Sequence, residues 1–454
     1  MARGKKKETL TPEERLQAAL VPESEQPYKV PGNWTWVKVG DLCTFIGGGT
    51  PDKTNPLYWN GNISWASVKD IKGSYLYSTI DKISQLGLES SSSNLCEAGD
   101  LLLVTRIEPA KTIVSKIVTA INQDLKIVKS ELSSLFLYHY FCAFQHEFEK
   151  KASGSTVKGI TLPNIQNTPF PLPPLPEQQR IVDGIESLFA RLDEAKQKAQ
   201  EALDSFETRK AAILHKAFTG ELTAQWRKEH SVGMETWSSC KLIDILVEKP
   251  RNGYSPKPVD YVTACKSMTL SATTTGVFKP EFFKYIDEEI PENSHLWLTP
   301  GDILIQRANS LEKVGMSAIY TGAEHEFIYP DLMMKLTVKE PNNKHYIDYY
   351  LKTDEILNYF RSNATGTAGN MPKINQKVVS ETPLILPETQ EQAEIVRLLD
   401  DLLAKEQQAK EAAEGVLEQI DLIKKAILAR AFRGELGTND PSEESAVELL
   451  KQVL

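Results

Sequence analysis

Two long stretches of the chain repeat apolar residues at alternating intervals of four and three positions. The first series runs from Ile181 to Ile213, and the second runs from Ile395 to Ile427, displaced by 214 residues. Nine of the ten positions in each series are apolar. This spacing, sustained over about five heptads, predicts a coiled-coil seam, and its alanines predict close helix approach. The predicted seam residues are Leu188, Leu192, Ala195, Ala199, Ala202, Phe206, Ile213, Leu402, Ala409, Ala413, Val416, Ile420 and Ile427.

The ends of both helices are marked by residues that stop a helix. Proline-rich entries at 171–176 and 383–387 exclude helix upstream, and Gly220 and Gly434 suit the position just past each helix end. Each helix alone is also compatible with a core helix of a larger bundle. Two equal helices, one in mid-chain and one near the end, favour a self-paired antiparallel rod that separates two globular domains.

Before each of the two long helices the pattern changes to short apolar runs separated by loops rich in Gly, Ser and Asn, which indicates an α+β protein. The predicted strands cover 63–68, 101–105, 113–118, 303–306 and 317–320, and the predicted helices cover 132–151 and 346–362.

Short sequences at both ends of the first long helix recur at the second with an offset of 214 residues. The recurring pairs are Glu177-Gln-Gln-Arg-Ile-Val182 with Glu391-Gln-Ala-Glu-Ile-Val396, and Ala217-Phe-Thr-Gly-Glu-Leu222 with Ala431-Phe-Arg-Gly-Glu-Leu436.

Upstream of the helices the repeat continues with a smaller offset. Gly99-Asp100 corresponds to Gly301-Asp302 at an offset of 202, and Trp36 corresponds to Trp237 at 201. The fold prediction is therefore two tandem α/β domains, separated by two long helices that form an antiparallel coiled coil, with a pseudo-two-fold internal repeat. The predicted segments are an N-terminal extension (1–30), a first domain (31–172), a first helical spacer (173–230), a second domain (231–386), a second spacer (387–436) and a C-terminal tail (437–454).

Composition and charge narrow the class of protein. The chain has 454 residues, 41% hydrophobic and 25% charged, without an apolar run long enough for a bilayer or a signal peptide. Five sparse cysteines without a C-x-x-C pair predict a reducing cytoplasm and no structural zinc. The net charge is −9, but 388–454 alone carries −7, so a basic DNA-binding face elsewhere remains compatible with the sequence.

The loop from Phe45 to Trp59 partly matches three catalytic signatures. Its Phe-x-Gly-x-Gly and Asn-Pro elements resemble an adenine methyltransferase, but only five residues separate Gly49 from Asn55, too few for the crossover that such a site needs. Asp52 replaces the second glycine of a P-loop. Pro51-Asp52 with Asp70-Ile-Lys72 fits a metal-nuclease pattern that is common by chance and absent from the second copy. No histidine pair has ligand spacing, so we expect neither a catalytic centre nor a metal site.

The residues of the repeat resemble a known family. The proline-rich run leading into Glu177-Gln-Gln-Arg-Ile-Val182, its counterpart at 386–396, the Ala-Phe-x-Gly-Glu-Leu helix ends, and the Gly-Gly-Thr-Pro loop at 48–51 are similar to the specificity subunit of type I restriction-modification systems. The resemblance implies two target-recognition domains, each binding half of a split site on double-stranded DNA. It also implies that the helices dock two methylation subunits, which methylate adenine, and that a restriction subunit joins through them. S-adenosylmethionine, ATP and Mg²⁺ would belong to those partners, and this chain would bind no cofactor.

Candidate DNA contacts are polar or basic residues in the loops, since Arg suits guanine, Asn suits adenine and Lys more often binds phosphate. Arg106 and Arg307 each follow the repeated Gly-Asp-apolar strand, which predicts a shared role. For any one of these residues, a solvated surface side chain is the alternative. The candidates are Thr50, Lys53, Trp65, Ser67, Lys69, Arg106, Lys111 and Lys158 in the first domain, and Arg251, Asn252, Tyr254, Lys257, Arg307, Asn309, Lys313 and Lys373 in the second, with 251–257 expected to be one short loop.

Two other functions are compatible with the sequence. A coiled-coil adaptor with two protein- or glycan-binding domains would show no retardation of DNA even at low salt. A self-sufficient nuclease would cleave DNA with Mg²⁺ as an isolated chain.

Overall fold

The computed structural model describes residues 11–154, 157–366 and 371–454; residues 1–10 of the predicted N-terminal extension lie outside the described residues. The chain divides into two compact units, one formed by 1–199 with 415–454 and the other by 200–414. The sequence analysis gave each long helix a segment of its own. The boundaries between the units instead fall inside those helices, because each unit packs part of both helices into its own core.

The first unit contains eleven strands and the helices that cover them, within the described residues. They are α1 (Pro12–Ala19), β1 (Thr35–Lys38), α2 (Val39–Leu42), β2 (Thr44–Gly47), β3 (Trp59–Ala66), β4 (Tyr75–Leu76), β5 (Asp81–Ile83), α3 (Gln85–Glu89), β6 (Leu95–Cys96), β7 (Leu101–Val104), β8 (Thr112–Ser115), β9 (Thr119–Ile121), β10 (Leu125–Lys129), α4 (Ser134–Lys150), α5 (Leu162–Gln166), β11 (Pro169–Leu172) and most of α6 (Leu175–Asp204).

Two mixed sheets form the centre of this unit. Their strand orders are β2-β10-β7-β8-β4 and β5-β3-β9-β6. β7 is a continuous apolar run whose four residues are all buried, as expected for a strand covered on both faces. Phe136 and Tyr140 of α4 pack with Phe170 and Phe432 in one aromatic core beside the first sheet.

The second unit repeats this plan. Its elements are α7 (Phe206–Phe218), α8 (Ala224–Glu229), β12 (Ser238–Lys241), β13 (Arg251–Asn252), β14 (Pro258–Val259), β15 (Cys265–Met268), β16 (Phe283–Ile286), β17 (Ile303–Gln306), β18 (Ser317–Ile319), β19 (Phe327–Ile328), β20 (Met333–Leu336), α9 (Lys344–Leu351), α10 (Asp354–Ser362), α11 (Gln376–Ser380), β21 (Pro383–Leu386) and the first part of α12 (Thr389–Ala431).

Most strands of the two units have a counterpart in the other unit. β13-β20-β17-β18 matches β2-β10-β7-β8, and β15 lies antiparallel to β16 and parallel to β19, as β3 does to β5 and β9. β1-β11 and β12-β21 form equivalent antiparallel pairs. Within the described residues, β4 and β6 occur in the first unit only and β14 in the second only. The repeat therefore extends from the sequence to the topology.

Helices near both ends of the described residues contribute to the core of the first unit, α1 through Ala19 and α13 (Ala446–Val453) through Ala446 and Leu450. Thr11 caps α1 in a reciprocal capping box with Glu14. The C-terminal helix α13 buries Ala446 and Leu450 in the same core as the aromatic cluster. The predicted C-terminal tail is thus a packed element of the first unit.

The predicted strands coincide with β3, β7, β8, β17 and β18, and the helix predicted at 132–151 is α4. The helix predicted at 346–362 is instead two helices, α9 and α10, because Thr353 adopts an extended conformation and caps α10 through Ile356 N. The first long helix is also interrupted. Ser205 separates α6 from α7, and its hydroxyl donates to the carbonyls of Glu201 and Ala202.

Buried glutamates mark the start of both long helices. In the first unit, Glu177 is fully buried and accepts hydrogen bonds from Trp34 Nε1 (2.7 Å), Asn439 Nδ2 (2.9 Å) and Thr438 Oγ1 (3.1 Å). Three neutral donors thus join the N-terminal segment, the first turn of α6 and the segment after α12.

The second unit builds the equivalent junction around Glu391. This carboxylate is also fully buried and accepts from Arg227 Nη1 (2.6 Å), Thr223 Oγ1 (2.7 Å) and Trp237 Nε1 (2.9 Å). The sequence analysis matched Trp36 with Trp237, but β1 and β12 begin directly after Trp34 and Trp237, and both of these indoles bind the buried carboxylate. Trp34, and not Trp36, is therefore the structural counterpart of Trp237.

The exposure of some predicted seam residues differs from expectation. Ala199, Phe206, Ala413 and Ile420 are buried, and Leu188, Leu192, Ala195, Ile213, Leu402 and Ile427 are partly buried.

Ala202, Ala409 and Val416 are exposed, and partly buried residues lie one position later in each case. Buried positions of the predicted seam nevertheless follow the exposed ones, since Phe206 comes after Ala202 and Ile420 comes after Val416.

The two polar exceptions in the apolar series contact each other. Arg209 Nε lies 2.8 Å from Glu406 Oε2, and Lys410 lies over the ring of Phe206, both within the second unit. From Phe206 to Arg209 along α7, the contacted residue of α12 moves back from Lys410 to Glu406, so the two helices run in opposite directions within the second unit. In the first unit, Lys424 Nζ lies 2.5 Å from Asp193 Oδ1.

No helix in the described parts of the chain combines the length and apolar character needed to cross a bilayer.

Candidate nucleic-acid interface

The first unit has an open cleft of about 480 Å³ at the ends of β3 and β9. It contains five predicted DNA contacts, Thr50, Lys53, Trp65, Ser67 and Lys69. The other residues that line it are Trp59, Asp81, Asn122, Gln123 and Asp124. We call it the first cleft.

A glycine loop forms one wall of the first cleft. A Cβ on Gly48 would lie 2.3 Å from the carbonyl oxygens of both Ile121 and Asn122, so only glycine lets the loop pass this close to the turn after β9. Gly49 N donates to Ile121 O at 3.0 Å, which fixes the loop against that turn. The backbone thus holds Thr50 at the cleft.

Two of the predicted contacts have structural roles in this site. Trp65 is 5% exposed, packs edge-on against Trp59 and donates from Nε1 to Gly49 O at 3.1 Å. Ser67 is buried and caps the short turn that ends at Asp70. These side chains support the walls of the cleft because their polar groups already have partners.

The cations of the first unit differ in how they are held. Lys69 Nζ lies 2.6 Å from Asp81 Oδ2, and this hydrogen bond raises the pKa of Lys69. Lys53 is exposed and has no ion pair within the described residues. Arg106 is exposed and lies 3.2 Å from Oδ1 of Asp124, so it reaches the cleft from the loop after β7.

Two further predicted cations lie near Arg106. Lys111 pairs with Glu108 at 2.6 Å in the same loop. Lys158 is exposed, and its carbonyl accepts from Ile107 N at 2.8 Å, directly beside Arg106.

The second unit has a cleft of about 320 Å³ at the equivalent place, which we call the second cleft. None of the sixteen predicted contacts lines it. Its lining residues are Ser255, Pro256, Pro258, Ser267, Met268, Thr269, Leu270, Ser271, Lys284, Ile286, Pro330 and Leu332.

The segment 251–257 is not one loop. Arg251 and Asn252 form β13, and Gly253 then passes the turn after β19 so closely that a Cβ would lie 2.2 Å from Tyr329 O. The two-residue strand forms because Arg251 and Asn252 pair with β20 in the same register in which β2 pairs with β10. Gly253 is thus the counterpart of Gly48.

Most polar groups of this segment are already engaged. Arg251 donates twice to Glu248 Oε2, at 2.6 and 2.8 Å, and this interaction raises the pKa of Arg251. Tyr254 donates to Glu288 at 3.1 Å. Asn252 Oδ1 is buried without a hydrogen-bond partner in the described chain, whereas Lys257 is exposed.

The remaining predicted contacts of the second unit lie at two places. Arg307, Asn309 and Lys373 lie together, because Ala308 forms a β-bridge with Lys373. Lys313 instead lines a separate cavity of about 890 Å³, among residues of α7, α10 and α12.

Arg106 and Arg307 are not at equivalent backbone positions. Thr105 N donates to Asp124 O, and Arg307 N donates to Leu332 O in the same place of the second unit, so Arg307 corresponds to Thr105. The offset between the copies is 202 residues both from Gly99 to Gly301 and from Thr105 to Arg307, so Arg106 lies one position later in its loop than Arg307 does. Both guanidinium groups nevertheless approach the equivalent turn, since Arg307 Nη1 donates to Asp331 O at 3.2 Å.

The turn after β9 and its counterpart after β19 were missed by the sequence analysis. They place Gln123 and Asp331 beside the glycine loops, where the hydroxyls of Thr50 and Ser255 donate to them. The loop offset is 205 between Gly48 and Gly253, and the turn offset is 208 between Gln123 and Asp331. Because these two offsets differ, the repeat in the sequence could have indicated the turn only after the loop and the turn had been aligned separately.

No group of three or more His, Cys, Asp or Glu residues in the described part of the chain could hold a metal ion.

Comparison with known proteins identifies the family. The Type I restriction modification DNA specificity domain family matches residues 31–203 and 234–415. The chain belongs to this family. It is a specificity subunit of a type I restriction-modification system, a non-catalytic protein that recognises DNA as part of a multi-subunit complex, as the resemblance implied.

Named relatives agree with this assignment. The specificity subunit is 26% identical over 323 residues to the type I restriction enzyme EcoKI specificity subunit of Escherichia coli K12, covering 68% of each chain. It is 25% identical over 359 residues to the EcoDI specificity subunit of Escherichia coli, covering 72% of this chain and 76% of the relative.

Solved structures share the fold. A chain from a structure of type I R-M system assembly and conformational transition aligns with a TM-score of 0.66 and 19% identity, covering 90% of this specificity subunit and all of that chain. The HsdS subunit from Thermoanaerobacter tengcongensis aligns with a TM-score of 0.61 and 19% identity, covering 91% of this specificity subunit and all of that chain.

Proposed function

We propose that each cleft binds one half of a bipartite DNA site, so that the two units together define the sequence that the complex recognises. The observation that carries this proposal is the recurrence of one cleft at one topological position with different side chains. Lys53, Asn122 and Gln123 line the first cleft, whereas Ser267, Thr269 and Lys284 line the second. The same frame with different donors and acceptors suits two different half-sites.

The long helices form an antiparallel coiled coil with pseudo-two-fold internal symmetry in this proposal. The opposite advance of contacts between α7 and α12 supports it, as does the Arg209–Glu406 ion pair that joins the two polar positions of the series. The equivalent junctions around Glu177 and Glu391 support the symmetry.

The proposed partners follow from the family. The helices dock two methylation subunits, which methylate adenine, and a restriction subunit joins through them. S-adenosylmethionine, ATP and Mg²⁺ bind to those partners, and this chain holds no cofactor. The five cysteines are free thiols, which fits a site of action in the reducing cytoplasm.

The test is selection from random duplexes by the full chain assembled with its methylation subunits. The expected result is a motif with two specified parts separated by unspecified bases. Absence of DNA retardation at low salt would favour a protein- or glycan-binding adaptor and overturn the proposal.

Lysine variants test whether each cleft contacts DNA. Lys53→Ala and Lys284→Ala should each lower affinity for all sequences and reduce the salt slope by about one ion, because an exposed lysine contacts phosphate. Lys339→Ala, at an exposed position in the loop after β20, is the control and should bind DNA as the native chain does.

A further inference from the structure

Gln123 and Asp331 occupy the same place in the two units. In the first unit, Gly49 N donates to Ile121 O, and Gln123 follows two residues after Ile121. In the second, Tyr254 N donates to Tyr329 O, and Asp331 follows two residues after Tyr329. The backbone therefore places both side chains at the centre of equivalent turns.

Both side chains are exposed yet held in position, Gln123 in the lining of the first cleft and Asp331 between Pro330 and Leu332, which line the second cleft. Thr50 Oγ1 donates to Gln123 Oε1, and Gln123 Nε2 lies 3.4 Å from Asp124 Oδ2. Ser255 Oγ donates to Asp331 Oδ1 and also accepts from Asp331 N at 3.1 Å. Holding a polar side chain before binding lowers the entropy lost when it contacts a ligand.

The hydrogen-bond donors and acceptors that Gln123 and Asp331 still have available determine which base edges they can recognise. An amide oxygen accepts two hydrogen bonds, so Gln123 Oε1 can accept one more beside Thr50, while Nε2 donates. Asp331 Oδ2 has no hydrogen-bond partner in the described chain and can only accept when ionised.

We propose that Gln123 and Asp331 are specificity-determining residues, Gln123 contacting an adenine in one half-site and Asp331 a cytosine in the other. This inference rests on the proposed function of the two clefts. In the major groove, Gln pairs in bidentate fashion with adenine N6 and N7, and a carboxylate accepts from cytosine N4. A carboxylate is repelled by phosphate, so an acid at the centre of a DNA-facing turn fits a base edge and not the backbone.

The experiment uses the full chain assembled with its methylation subunits and selects bound duplexes from a random pool. Gln123→Ala should lower the preference for adenine over the other bases at one position of one half-site by roughly 5- to 150-fold. Gln123→Glu keeps the shape of the side chain and should shift that position toward cytosine. Asp331→Asn should shift one position of the other half-site from cytosine toward adenine.

Each variant carries its own control, because the half-site of the other unit should stay unchanged. Gln145→Ala, at an exposed amide on α4, should leave the whole motif as it is. If the native chain selects a motif and these variants only weaken binding uniformly, the inference is wrong and the proposed function stands. If the native chain selects no motif, the proposed function itself is wrong. Unfolding midpoints equal to that of the native chain exclude misfolding, and the near-isosteric Glu and Asn variants remain informative if Gln123→Ala does not fold.

Discussion

The two buried glutamates allow one perturbation to be compared at equivalent places. Glu→Gln keeps the size of the side chain but replaces one acceptor oxygen by an NH₂ donor. At Glu177, the Oε1 partner is the hydroxyl of Thr438, which can rotate to accept from an amide, while the remaining oxygen still accepts from Trp34 and Asn439. We therefore expect Glu177→Gln to cost about 1 kcal/mol or less.

At Glu391 neither orientation of an amide fits. An NH₂ group in place of Oε1 would face the Arg227 N–H, and in place of Oε2 it would face the Trp237 indole N–H. The change also leaves the guanidinium of Arg227, 10% exposed, without its counter-charge. Removing one partner of a buried ion pair costs about 3–5 kcal/mol, so Glu391→Gln should be far more destabilising than Glu177→Gln.

The assay combines urea unfolding of the full chain with hydrogen–deuterium exchange of the first turns of α6 and α12. Exchange assigns the loss to one unit, which matters because a chain of two units need not unfold in one step. Equal losses in the two variants, or fast exchange at α6 in Glu391→Gln, would refute the reasoning from donor geometry.

Three further predictions concern single side chains. Gly48→Ala should weaken binding of one half-site, measured on duplexes with either half altered, because its Cβ would lie 2.3 Å from Ile121 O; equal loss for both halves would contradict it. Ala199→Leu should lower the free energy of unfolding by about 1–3 kcal/mol, whereas Ala202→Leu should not, since only Ala199 is buried. Equal effects in denaturation would contradict this reasoning from burial. Burial lowers the pKa of His139 below its ordinary value of 6.5 despite the nearby Glu186, so the unfolded chain binds the proton more tightly than the folded chain. The free energy of unfolding should therefore fall as the pH drops through 6.5 toward the folded-state pKa. His139→Phe should reduce the dependence of the unfolding midpoint on pH between about pH 7 and 5, and an unchanged dependence would contradict this.

The sequence predicts well what depends on local patterns. The apolar run at β7 and the aromatic-rich stretch of α4 are predicted within a few residues. The long helices are also predicted, and ten of the thirteen predicted seam residues are buried or partly buried, while Ala202, Ala409 and Val416 are exposed. Ser205 interrupts the helix within an unbroken heptad pattern, so the pattern alone gives no warning.

The candidate site is predicted unevenly for a different reason. Residues of the first cleft come from a recognisable glycine loop and the strand after it, which bring Thr50, Lys53 and Lys69 together. The second cleft is lined by residues such as Ser267 and Thr269, whose types carry no chemical signal in a sequence. Arg251 is predicted from its charge, and in the structure its guanidinium donates to Glu248 and does not line the second cleft.

The comparison of the two units separates what the fold requires from what it leaves open. Gly48 and Gly253 are both glycine because carbonyl oxygens occupy the space of a Cβ, a constraint set by the backbone alone. Gln123 and Asp331 differ although the backbone around them is equivalent, because an exposed side chain at a turn contributes little to packing. A frame of this kind permits a change at the turn without disturbing the sheets, and the two half-sites can therefore change independently of each other.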